Sequence, residues 1–146
     1  MDIQSIKTPI GNFLSVYGVL GLSRLTFIGH ELSSHIQDAG LQKLVDIFFS
    51  NTELKTYPSY DLEGTEFQLK VWEALSQIPK GTLESYSTIA QKIGVPGGAR
   101  AVGSACKLNP IPLFIPCHRV VKQDRSIGEY ALGADNKRYL LKMEAL

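Results

Sequence analysis

Between Pro110 and Pro116 the chain places three prolines in seven residues, and Cys117, His118 and Arg119 follow at once. Proline removes a backbone donor and clashes with the preceding helical turn, so neither a helix nor an ordinary central strand can cross this strip. The strip is therefore expected to be a stiff, apolar, extended lead that delivers Cys117 at its end. A cysteine followed by histidine and arginine is a candidate nucleophile, because nearby cations favour the reactive thiolate. A cysteine beside apolar residues more often serves as a small buried hydrophobe. Neighbours in an extended segment point to opposite sides, so His118 would need a bend or a bridging water to reach the Cys117 sulfur.

The two sides of the chain have different periods. Ile3–Lys7 and Phe13–Val19 read as strands around a Pro9-Ile10-Gly11-Asn12 turn, and Leu22–Ile28 as a third strand. Leu41, Leu44, Val45, Phe48 and Phe49 recur at helical spacing, which predicts a helix over 39–50. Residues 50–64 carry Asn51, Pro58, Ser59, Asp61 and Gly64 without periodicity and read as a linker. Two domains are expected, 1–60 and 61–146.

Beyond the linker the pattern is helical. Gly64 or Thr65 caps a helix carrying Phe67, Leu69, Val71, Trp72, Leu75 and Ile78. A second helix starts at a Ser or Thr cap near Ser85 and ends at Gly94. After the Val95-Pro96-Gly97-Gly98 turn, a third spans about 98–108 and stops at Asn109-Pro110. A last helix, Asp135 to Glu144, is expected to pack Tyr139, Leu140 and Met143.

The second and third of these helices, joined by a glycine turn, describe a helix-turn-helix. Gly97, Gly98, Ala99, Ala101, Gly103, Ser104 and Ala105 leave the third helix nearly bare, with Arg100 as the one long side chain near its start. Reading base edges in a major groove takes several long polar side chains. A bare helix with one intruding group suits close, sequence-independent approach to DNA, or else simply tight helix packing.

The charge distribution points either to a polyanion partner for the second half or to a solvated basic face without one. The 146 residues carry 15 Lys+Arg and 14 Asp+Glu, but residues 1–79 hold five basic and nine acidic groups, and residues 80–146 ten basic and five acidic. No run of 18 apolar residues occurs and the N-terminus lacks a signal-peptide pattern, so neither a membrane span nor secretion is expected. Two cysteines make no disulfide framework, and a reducing compartment is the default. Cys106 and Cys117 are eleven residues apart with no CxxC or HxxxH spacing, so no metal site is expected. His30 and His35 read as surface residues and Cys106 as a packing residue.

At these motifs the chain closely resembles the O6-alkylguanine-DNA alkyltransferases (methylated-DNA–protein-cysteine methyltransferases). The resemblance runs from Gly64-Thr65-Glu66-Phe67-Gln68 through Val71-Trp72, Ile78-Pro79-Lys80-Gly81 and Ser85-Tyr86. It continues through Arg100-Ala101-Val102-Gly103 and Asn109-Pro110 to Pro116-Cys117-His118-Arg119-Val120 and Leu140-Leu141. It implies an α+β fold: a small α/β N-terminal domain with ribonuclease H-like strands plus helix, then a helical domain with a winged-helix-like helix-turn-helix.

The implied function is repair of double-stranded DNA by stoichiometric transfer of a methyl or larger alkyl group from O6 of guanine, with O4 of thymine as a further substrate. Cys117 would be the acceptor, His118 its base through water, and Glu144 the group that orients His118. Tyr86 would turn the phosphate and offer a proton to the departing guanine. Arg100 would replace the flipped nucleotide, with Gly98, Ala99, Ala101 and Ser104 against the DNA. Asn109 would brace the loop before the nucleophile. The backbone of Cys117 and Val120, with Tyr130 and the main chain at Ala131, would line the guanine pocket. No cofactor and no metal are implied; the protein would act as a monomer in the cytoplasm, nucleoid-associated, or in a nucleus.

Leu132 stands where relatives commonly have a smaller residue, which predicts a narrower pocket favouring methyl over benzyl adducts. A non-catalytic alkylguanine-lesion-binding protein on the same scaffold is the alternative, although relatives of that type replace the reactive cysteine. A helix-turn-helix regulator sensing alkylation at Cys117, or a thiol hydrolase, fits less well.

Overall fold

The computed structural model describes residues 3–145 and divides into two compact units, 1–63 and 64–146. Its architecture is mixed α and β, with five helices and two small sheets among the described residues.

In the first unit, β1 (Gln4–Thr8), β2 (Gly11–Tyr17) and β3 (Leu22–Gly29) form an antiparallel meander in the order β1-β2-β3. Alternate residues Gly11, Phe13 and Ser15 of β2 are buried, as period-two geometry requires. Phe13 packs its ring 5.0 Å from that of Phe27 on β3. Helix α1 (Ala39–Phe49) buries Leu41, Val45 and Phe48 and lies against β1. β2 begins at Gly11, two residues before the strand that the sequence predicts, because Pro9 and Ile10 alone make the turn.

Both sheet edges are covered. Along β1, the Gln42 side chain accepts from Lys7 N–H at 2.9 Å and donates to Lys7 C=O at 2.8 Å, while Ser5 exchanges backbone bonds with Ile36 and Asp38. Along β3, Leu22 N–H donates to Ser59 C=O and Leu22 C=O accepts from Asp61 N–H. The stretch expected as a free linker over 50–64 is therefore partly a sheet cover. Satisfying an otherwise open strand edge ties its end to this unit, and the division falls after residue 63 rather than after 60.

The second unit starts with α2 (Glu66–Ser76), closed by a reciprocal capping box between Thr65 and Gln68. Val71, Trp72 and Leu75 face inward, whereas Leu69 is exposed. The Trp72 indole N–H donates to Ala105 C=O at 2.9 Å. β4 (Glu84–Ser85) pairs in parallel with β5 (Val120–Val121), a two-residue ladder too short to show any period in sequence. Ser85 caps α3 (Tyr86–Lys92), and Gly97, at φ 83°, turns the chain into α4 (Ala99–Lys107). α5 (Ala134–Glu144) closes the unit.

The proline strip does not run extended. Ile115 N–H donates back to Ile111 C=O at 3.0 Å and Leu113 takes a left-handed φ of 74°, so the strip curls. Ile111, Leu113, Phe114 and Ile115 are all buried. Burying four large side chains from one short segment takes a turn, since an extended run would direct alternate residues to the other face. The next three residues, Cys117–Arg119, form one turn of 3-10 helix rather than a strand.

No described helix is long and apolar enough to cross a membrane.

Candidate active site

Cys117, His118 and Arg119 are successive residues of the 3-10 turn and all are buried. With three residues per turn, their side chains leave the axis about 120° apart. Cys117 looks into a cavity of about 360 Å³ that Tyr86, Ala99, Arg100, Gly103, Ser104, Cys106, Lys107, Lys122, Glu129, Tyr130 and Ala131 also line. His118 and Arg119 turn toward the last helix.

There Glu144 receives both. Arg119 Nε donates to Glu144 Oε1 at 2.9 Å and Nη2 to Oε2 at 2.8 Å, a two-pronged guanidinium–carboxylate pair. Arg119 Nη1 also holds Ile78 C=O at 2.7 Å. His118 Nε2 lies 3.0 Å from Glu144 Oε2. Burial works to raise the Glu144 carboxyl, but the bonds from His118 and Arg119 outweigh it and bring it down to about 2. An ionised carboxylate only accepts, so His118 Nε2 carries the proton and Nδ1 keeps the lone pair.

Electrostatics set the resting state. Burial pulls His118 below its ordinary value; the Glu144 bond opposes this, while Arg119 and Lys137 reinforce it. Burial pushes the Cys117 thiol up, and the Asn109 amide, Lys137 and a backbone N–H offset it only in part. Cys117 therefore rests as a thiol beside a neutral imidazole whose far side is already attached to a carboxylate. A proton leaving sulfur has a place to go, and Glu144 stabilises the imidazolium that results.

The elements around the thiol are held from several directions. Asn109 Nδ2 donates to Ile115 C=O at 2.7 Å and its Oδ1 accepts from Ile111 N–H at 3.0 Å, bracing the curled strip at both ends. Val120 is buried outside the cavity lining and offers its C=O to Lys137 Nζ at 2.6 Å. Lys137 Nζ also reaches Glu129 C=O at 3.3 Å and sits about 6 Å above the rings of Tyr86 and Tyr130. Burial lowers Lys137 to about 8. Burial pushes Tyr86 up to about 12, so its phenol stays protonated at the cavity wall. Gly128 adopts φ 74° in close contact with Tyr86: an added Cβ would lie 3.3 Å from the phenol oxygen.

On the outer face, α4 exposes Arg100, Ala101, Ser104 and Lys107, with Gly98 as the residue before its first turn. Lys107 pairs with Glu129 across the cavity mouth.

Of the residues singled out from sequence, Cys117, Tyr86, Arg100, Ala99, Ser104, Tyr130 and Ala131 meet at the cavity, and His118 and Glu144 stand behind it. Asn109 and Val120 support it from outside the lining, and Gly98 and Ala101 lie on the α4 surface away from it. Leu132 is not among the residues that line this cavity, whereas its neighbour Ala131 is. Cys106 is not only a packing residue, since it lines the cavity; burial pushes its thiol up to about 12, leaving it protonated.

Arg119 and Lys137 carry roles that motif reading did not assign. The inward stripe of α5 is Lys137, Leu140 and Glu144 rather than Tyr139, Leu140 and Met143, and Tyr139 is exposed. The spacing i, i+3, i+7 was the available signal, masked because two of the three residues are charged. Among the described residues, no group of three His, Cys, Asp or Glu side chains converges as a metal site would require.

The chain is similar to known proteins over nearly its whole length. A family model described as 6-O-methylguanine DNA methyltransferase, DNA binding domain, matches residues 66–146. The methylated-DNA–protein-cysteine methyltransferase of Methanosarcina barkeri is 38% identical over 153 residues, covering 99% of this chain and 97% of its own. The crystal structure of Mycobacterium tuberculosis OGT in complex with DNA matches with a TM-score of 0.89 at 34% identity, over 99% of this chain and 93% of that one. S. pombe Atl1 in complex with damaged DNA containing O6-carboxymethylguanine matches with a TM-score of 0.51 at 33% identity, over 57% of this chain and 80% of its own. The chain belongs to the 6-O-methylguanine DNA methyltransferase family.

Proposed function

We propose that this protein repairs DNA by moving the alkyl group of O6-alkylguanine directly onto Cys117, once per molecule. The observation that carries the reading is a buried thiol opening into a base-sized cavity, next to a neutral histidine that a carboxylate already holds.

The thiol proton passes through a bridging water to His118 Nδ1. The sulfur then displaces guanine O6 from the alkyl carbon: a carbon–sulfur bond forms as the carbon–oxygen bond breaks. The electron pair stays on the guanine, which takes up a proton offered through Tyr86. Tyr86 regains its proton from water and His118 releases its own to water, so on balance sulfur exchanges a proton for the alkyl group and guanine gains a proton, with no cofactor consumed. A thioether is not readily hydrolysed, so the protein is spent.

The reacting atom lies inside the duplex, and extruding the nucleotide costs a few kcal/mol of unstacking. The thin, exposed face of α4 can enter a groove closely, and Arg100, beside the cavity, fills the space that the flipped nucleotide leaves. This chemistry operates where DNA is present and thiols stay reduced: the cytoplasm, in association with a nucleoid, or a nucleus. On this reading DNA binding and transfer belong to the second unit, a role supported by the family model's match over residues 66–146.

Intact mass after mixing with methylated duplex DNA tests the reading. Gain of one methyl group, mapped to Cys117 and absent in Cys117→Ser, is the expected result. Tight binding without a mass change would instead favour the lesion-binding alternative represented by the same scaffold.

A further inference from the structure

The Tyr130 hydroxyl is completely buried and, among the described residues, has no hydrogen-bond partner. Leaving such a group unsatisfied costs roughly 1–3 kcal/mol, so a residue that keeps it there normally gives it something to bind. Its surroundings are specific. The Tyr130 ring meets the His118 ring edge-on, centroids 6.4 Å apart and planes at 66°, and it lines the cavity into which Cys117 opens. Cys117 and Glu144 are both close enough to act electrostatically on the phenol. The 3-10 turn sends the Cys117 and His118 side chains apart, so a proton travelling between them needs a carrier.

From this juxtaposition we infer that the Tyr130 hydroxyl is a positioning group, donating a hydrogen bond to the water through which Cys117 passes its proton to His118 Nδ1. This rests on the relay proposed above. A water at that point accepts from the thiol and donates to Nδ1, which leaves its second lone pair for an O–H donor. Tyr130 supplies one from a ring that meets His118 edge-on and has the Lys137 ammonium 6.0 Å from its centroid. The phenol neither gains nor loses a proton; it fixes the carrier and so the geometry of thiolate formation.

Tyr130→Phe removes only the hydroxyl. The test is the rate at which iodoacetamide carboxymethylates Cys117, followed by peptide mass from pH 6 to pH 10 in the wild type and the variant. This readout does not depend on guanine chemistry, so it stands even if the wild type takes no methyl group from DNA, an outcome that would sink the proposed function alone. The expected result is a loss of about tenfold at pH 7 that narrows as pH rises and hydroxide ionises the thiol directly. Equal rates within twofold at pH 7, or a deficit constant across the pH range, would overturn the inference. A variant that loses affinity for alkylguanine while keeping the wild-type iodoacetamide profile would overturn it too, by showing that the hydroxyl binds substrate instead.

Discussion

Each unit of the molecule buries a carboxylate among polar partners, and the two clusters do different work. In the first, Asp38 accepts from Ser15 Oγ at 2.8 Å, from the Tyr17 phenol at 2.6 Å, and from Leu41 N–H at the start of α1. In the second, Glu144 gathers His118 and Arg119. Asp38 joins a helix cap to a strand and satisfies neutral donors, and its role ends there. Glu144 holds a cation and a titratable ring, and that ring stands behind a thiol at a cavity. Buried polarity alone therefore does not mark a functional site; the mark is a charged cluster whose next neighbour is a reactive atom facing open space.

The sharpest way to break this contrast is to remove each carboxylate in turn. Glu144→Gln leaves Arg119 buried beside a neutral amide, which should cost about 3–5 kcal/mol in urea unfolding. Single-turnover alkyl transfer should slow by roughly 100-fold or more, as expected when a positioned base is lost. Asp38→Asn keeps an oxygen able to cap α1 but cannot accept from both hydroxyls and the cap N–H as the carboxylate does, which should cost about 1–3 kcal/mol, with transfer unchanged within twofold. Comparable losses of activity in both variants would erase the distinction.

Next in size is Arg100→Ala. Duplex repair should fall by roughly 10- to 100-fold, in line with a few kcal/mol of unstacking, while reaction with free alkylguanine base stays near wild type. Similar losses on both substrates would remove Arg100 from base extrusion.

Acid should act through the Glu144 cluster. His118 lies below its ordinary 6.5 in the folded protein, so on acidification the unfolded chain takes up that proton first and stability declines below about pH 6.5. Glu144, at about 2 against an ordinary 4.5, contributes stability that is fully present above 4.5 and is lost as pH falls from there toward 2. Thermal melts across this range should show both declines, and Glu144→Gln should shrink the lower one. The smallest effect concerns Leu132: because it stands outside the cavity lining, Leu132→Gly should alter the ratio of benzyl to methyl transfer by less than twofold.

Much of the site was legible because its residues lie in short, chemically distinctive words. Ser85 and Thr65 announce helix starts through side chains that can cap, and the two-helix element around Gly97 follows from turn chemistry and small residues. The curl of the proline strip was not legible. Prolines restrict their own φ, but the left-handed Leu113 is demanded by the burial of Ile111, Phe114 and Ile115, a tertiary requirement that leaves no local trace. The same holds for Lys137, which looks like an ordinary surface lysine until the spacing to Leu140 and Glu144 is read against the fold. The β4–β5 ladder pairs residues thirty-six positions apart through only two steps, and nothing in either dipeptide names its partner.

The bond from Trp72 to Ala105 places the chain's single indole on the backbone of the helix that carries Arg100. Fluorescence excited at the red edge of protein absorption comes from this one fluorophore, and its emission responds to the hydrogen bond at its nitrogen. The molecule thus has a built-in optical reporter of α4, the helix proposed to face DNA. Stopped-flow emission can follow that helix through the encounter, extrusion and alkylation steps proposed above with no label attached.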